Sequence, residues 1–269
     1  MKHYKFTGEI KSHNGIILKQ IQATRYLSSE PEVMEGDIGG WIEKENNLSD
    51  NAWASENAKV YGDARVYKNA RILDNAQIFG SAWVRDNVQV SEDAKIYEHA
   101  EITGDAEIYG KAQVYGEAQV YGRAKVSGHA WIFGKARIYG DAGASGHAWI
   151  YEKARVFGSA WVREYAHVLG KTYVFGDADI SEDIEIKHDL EFLWITLPSF
   201  HTATITKKYV FIGCKTFTIK EIQSMTEEEA IKHELPENFA NEYKAMILNG
   251  IEIIESVFLF KGDNNGHKI

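Results

Sequence analysis

The chain is poor in the residues that cross-link or interrupt a fold. Its one cysteine, Cys214, stands alone among 269 residues, which excludes an internal disulfide framework, and no Cys/His spacing suits a zinc site. Cys214 follows an apolar strand in "FIGCKTF" and is expected to pack rather than react. Only three prolines occur, so a proline-rich disordered chain is excluded. No apolar run approaches the length that spans a bilayer. The opening "MKHYKFTGEIKSHNG" lacks the apolar centre of a secretory leader, so a cytoplasmic, reducing compartment is expected. Positive charge is in deficit, with a net charge of −9, which argues against general binding of a phosphate backbone.

What the chain has is repetition. From Ala52 to Ala178 every sixth residue is alanine, except Val88 and Thr172. Two residues after each stands an aliphatic, Val60, Val66, Ile72 and onward to Ile186, with Ala54 and Ala144 as small exceptions. The consensus is Ala-x-Val-x-Gly-x. Its alternation is that of a short strand with one face buried, and the glycine marks a corner. So short a strand cannot pair with itself, but it can pair with its equivalent one coil later. Three hexads close an 18-residue triangle. The register runs unbroken over 46–188, predicting about eight coils and a rod of roughly 38 Å at the inter-strand spacing.

The flanks read as caps, which such a rod needs at both ends. In residues 1–45, Asn14-Gly15 lies between two alternating segments and predicts a β-hairpin. Residues 189–269 predict a small α+β unit. "TATITKKYVFIGCKTFTIK" reads as a hairpin, Thr226 followed by Glu229 as the start of a helix, and "ENFANEYKAMILNGIEIIESVF" as a second helix.

"GDIGGWIEKENNLSDNAW", the Ala-x-Val-x-Gly hexads and "YVFIGCKTFTIKE" together resemble the hexapeptide-repeat-like β-helix proteins of phage and prophage genomes. The likeness extends over nearly the whole chain. It implies a mainly β fold, a left-handed parallel β-helix, and an origin in a virus or mobile element. The family often carries the label of putative transferase because its coils resemble those of acyltransferases. The resemblance brings no catalytic residues with it.

Function is sought among the outward residues, where positions 18 apart stack in columns. One face carries Tyr61, Phe79, Tyr97, Tyr115, Phe133, Tyr151 and Leu169 beside Lys59, Gln77, Lys95, Gln113, Trp131, Trp149 and His167. The preceding corner bears His129 and His147. Tyr115, His129, Trp131, Phe133, His147, Trp149, Tyr151 and His167 are therefore the expected interface patch. On the second face Arg137 and Arg155 stack near Tyr139 and Phe157 and are candidate anion binders. The third face, with Trp53 and Arg71 among its outward residues, is the most polar. No carboxylate is placed to complete a metal site with the histidines, so neither metal nor cofactor is expected.

Three functions compete. The favoured one is a noncatalytic rod that binds a protein through the aromatic face, the partner being a second copy or a host protein, with inhibition of a host defence or nuclease complex as a concrete form. The second is an acyl-CoA-dependent acyltransferase working as a trimer. It is disfavoured because no insertion encloses a substrate and no histidine is paired with a carboxylate. The third is a small-ligand, nucleotide or glycan binder using Trp131, Trp149 and Tyr151. No membrane association and no direct nucleic-acid contact are expected.

Overall fold

Alternation turns the alanines and aliphatics inward. In the structure, a computed structural model describing residues 2–187, 192–196, 202–206, 208–212, 215–235, 239 and 243–263, these residues line one continuous core. From Ala76–Ile78 through Ala166–Val168 every one of them is fully buried. Each hexad contributes a two-residue strand, and strands 18 apart pair in parallel, as Gln113 with Trp131 and Val114 with Ile132. The backbone bonds run one coil up: the Lys95 N–H binds the Ala112 carbonyl at 2.9 Å, and Tyr97 binds Val114 at 3.0 Å. Three parallel sheets result, closing a β-solenoid of about eight turns. Thr172 holds an alanine slot by turning its hydroxyl onto the Leu169 carbonyl at 2.6 Å, so the hydroxyl is satisfied despite its burial.

The N-terminal cap extends the first sheet. Strands β1 (Tyr4–His13) and β2 (Ile16–Ala23) form the expected hairpin, with Asn14 and Gly15 at positive φ. A third strand, β3 (Ile38–Ile42), pairs antiparallel with β2 and parallel with the first coil through Trp41 and Lys59. The hairpin thereby passes its register into the solenoid.

Two residues placed outward by the alternation are buried by this cap. Trp53 is 2% exposed, its ring lying against the position of Gly39. Arg71 is fully buried beneath the loop between β2 and β3. Its guanidinium donates to the carbonyls of Ser29 (2.9 Å), Pro31 (3.1 Å) and Asn51 (2.8 Å). Burial lowers its pKa to about 10. The polar third face thus begins above these two residues.

At the other end, strands Phe192–Thr196, Thr202–Thr206, Tyr209–Ile212 and Lys215–Thr218 form a four-stranded antiparallel meander. Among the described residues three α-helices follow: α1 (Ile219–Ser224), α2 (Glu227–Lys232) and α3 (Lys244–Asp263). The sequence predicted one hairpin and two helices. The extra helix starts at a second capping box, Thr218 with Glu221, equivalent to the predicted Thr226 with Glu229. The meander and helices bury their own core around Ile205, Phe217, Phe239 and Ile247. Phe192 and Tyr209 pack on the solenoid core, and the Asp179 N–H binds the Thr204 hydroxyl at 3.1 Å. Cys214 lies outside the described residues.

Candidate functional site

The strand repeat puts outward side chains one coil apart, close to the thickness of two stacked rings. On the first face Tyr61, Phe79, Tyr97, Tyr115, Phe133 and Tyr151 form one continuous stack, with centroids 4.8–5.1 Å apart and rings within 5° of parallel. His13 closes its lower end edge-on at 5.4 Å. Burial raises the Tyr97 phenol to about 12, helped by neighbouring Tyr115. Its hydroxyl donates to Gln113 at 3.1 Å.

In the upper half two more stacks flank this one. Trp131 lies on Trp149 at 5.3 Å, and Trp149 on His167 at 4.7 Å. At the corner His129 lies on His147 at 4.8 Å and His147 on Tyr165 at 4.9 Å. Edge contacts of 6.4 Å from Tyr115 to Trp131 and from Phe133 to Trp149 join the first two stacks. Six of the eight expected interface residues, Tyr115, Trp131, Phe133, Trp149, Tyr151 and His167, are thus linked by ring contacts; His129 and His147 stack at the preceding corner, where His129 shares a groove with Trp131, and Tyr165 extends that corner stack. Tyr165 occupies the same column as the two histidines, so the 18-residue step was sufficient to find it. Trp149 is 36% exposed and Tyr165 57%. A shallow groove of about 380 Å³ adjoins the patch, lined by Lys95, Lys111, Gln113, His129 and Trp131 among others.

The stacking decides what this surface offers. Ring planes lie across the rod axis, so faces are spent on neighbours and edges point outward. A sugar or nucleobase needs a free face, and the middle of each stack has none. Edges carry the positive side of the ring quadrupole and suit carbonyl oxygens, carboxylates and the faces of a partner's rings. Among the described residues none of His129, His147 and His167 hydrogen-bonds a carboxylate, and no three His, Cys, Asp or Glu side chains converge. No described helix is long and apolar enough to cross a membrane.

Arg137 and Arg155 are brought together on the second face as a paired register position. Beside them runs another stack, Tyr121, Tyr139, Phe157 and Phe175, at 4.8–5.5 Å. Arg155 lies over the Tyr173 ring at 5.3 Å. Near the lower end of the same face is a concavity of about 580 Å³ bounded by Arg65, Tyr67, Trp83, Lys2 and Asn46 among others. Its wall, the short 3-10 turn Glu45–Asn47, lies outside the repeat, so the 18-residue columns do not reveal it.

No protein-family model matches the chain, and neither does any curated protein.

Proposed function

We propose that this protein is a noncatalytic binding rod that docks a foreign protein through the stacked patch around Trp131 and Trp149. The observation that carries the reading is the three-stack surface itself. Two adjacent tryptophans and seven further rings, Tyr115, Phe133, Tyr151, His129, His147, Tyr165 and His167, are held by stacking on their neighbours, with edges outward. A partner gains contact with aromatic anchors and orders almost nothing on this side, since the rings are already fixed. The resemblance to β-helix proteins of phage and prophage genomes points to a host protein as the partner, with a component of a defence or nuclease complex as the concrete case. The acyltransferase reading asks for a histidine oriented as a base, whereas the three histidines here are stacked between rings or on them.

The test is capture of a partner from host extract on the immobilised wild-type chain, followed by affinity measurement with the purified partner. Trp131→Ala with Trp149→Ala is expected to weaken it about 100-fold, in line with paired aromatic hot spots, while far-ultraviolet circular dichroism stays unchanged. Binding unaffected by this pair, or acetyl-CoA turnover by the wild type, would sink the reading.

A further inference from the structure

Elsewhere on the coils cations are alternated with acids along the columns. Lys68 pairs with Asp86, Arg123 with Asp141 (2.7 Å), Lys125 with Glu107 (3.0 Å) and Lys135 with Glu117 (3.0 Å), each partner one coil away. This arrangement lets stacked charges attract. One place breaks it. Lys135, Lys153 and Lys171 follow one another in a corner column, and Arg137 and Arg155 in the column beside it. No other cations on the coils stand 18 residues apart. Like charges one coil apart repel, and of the nearby acids only Glu117 is paired with a member of these columns, Lys135. Asp141 is held by Arg123, and the Glu152 carboxylate accepts the Gly170 N–H at 3.1 Å. Among the described residues Arg137, Lys153, Arg155 and Lys171 form no ion pair. They stand on a chain whose net charge is −9.

We infer that this corner and the adjoining second face form a second docking surface, specific for a carboxylate-rich protein segment. Two features point the same way. Four of the five cations, all but Lys135, lack an ion-pair partner among the described residues, and the stack Tyr121–Tyr139–Phe157 next to them turns its positive ring edges outward. A polynucleotide fits less well. Its bases find no free ring face in the stack. The cationic stretch covers only three coils, about 10 Å, too short to offset repulsion of a long phosphate chain by an acidic rod. A cluster of a few carboxylates on a protein matches both the length and the charge. This surface lies across an edge from the Trp131–Trp149 patch and does not depend on it.

The experiment uses the full chain and a fluorescein-labelled oligo-glutamate of about 20 residues, read by anisotropy at about 50 mM salt, where screening is weak. Wild type is expected to bind, and Lys153→Glu with Arg155→Glu to weaken it at least about tenfold, as loss of electrostatic complementarity does. Arg123→Glu, a cation outside the stack, should leave affinity within about twofold. Lys153→Gln with Arg155→Gln repeats the test without introducing new repulsion. No binding by wild type, or equal losses in the Arg123 variant, would overturn the inference. Tighter binding of single-stranded oligo-thymidylate of the same length would also overturn it, assigning the surface to phosphate instead. Trp131→Ala with Trp149→Ala should leave the oligo-glutamate affinity unchanged, so failure here is separable from failure of the aromatic patch.

Discussion

A single buried histidine gives the N-terminal cap a pH dependence of defined sign. His3 is 3% exposed, and its Nε2 lies 2.8 Å from the Ala52 carbonyl, to which the neutral ring donates. Burial, the largest influence, holds its pKa below the ordinary 6.5, partly opposed by that hydrogen bond and reinforced by Arg25 and Arg71. The unfolded chain accepts a proton near pH 6.5 and the folded chain only at lower pH. Stability attributable to His3 is therefore complete above about pH 6.5 and declines as pH falls through that value towards the folded pKa. Denaturant midpoints measured at about pH 7.5 and about pH 5 should fall more for wild type than for His3→Gln, which keeps a donor but does not titrate there. Equal pH dependence in the two would remove His3 from the account.

At the scale of elements, the loop between β2 and β3 is pinned by Arg71 rather than by a core of its own. Replacing Arg71 with Met strands the carbonyls of Ser29, Pro31 and Asn51, all now served by one guanidinium. The expected cost is about 1–3 kcal/mol, since these acceptors are only partly buried and water can replace some of the lost bonds. Amide exchange should quicken first at Leu27 and Val33, whose backbone bridge closes the loop, before the coils respond. Arg71 also marks the boundary of what the sequence made legible. Inside the repeat, inward and outward positions follow from a period of six, so the columns and the stacked patch could be placed by counting. Arg71 and Trp53 keep that period and still end buried, because what covers them comes from a non-repeating segment 14 to 42 residues earlier. The same limit hid α1. Its start, Thr218 with Glu221, lay inside "TFTIKE", where β-branched residues continued the strand pattern and masked the cap. The three-stack patch was legible as columns, but its exposed edges were not, since ring orientation follows from the coil spacing acting on packed side chains.

For the whole molecule, length and surface pattern are separable, because each coil touches chiefly the coils above and below it. Deleting residues 109–126, one full turn, brings Ser127 after Ile108 and puts Phe133 into the place of Tyr115 on Tyr97. The inward series of alanines and aliphatics is uninterrupted, and the outward columns keep their faces. Such a protein should fold, lose stability in proportion to one removed interface, and shorten by about 4.8 Å, detectable as a smaller radius of gyration in X-ray scattering. Deleting only 109–114 also preserves the inward series, since the period is six. It carries every later residue one face around the triangle, so Trp131 and Trp149 leave the sheet that contains β1 and β2. The two deletions thus separate folding from display. Both should melt cooperatively, but a partner that contacts the aromatic patch together with the N-terminal hairpin should bind only the 18-residue deletion. Failure of the 18-residue deletion to fold would show that particular coils, and not the repeat, hold the rod together. That result would also undercut the reading of its columns as independent surfaces.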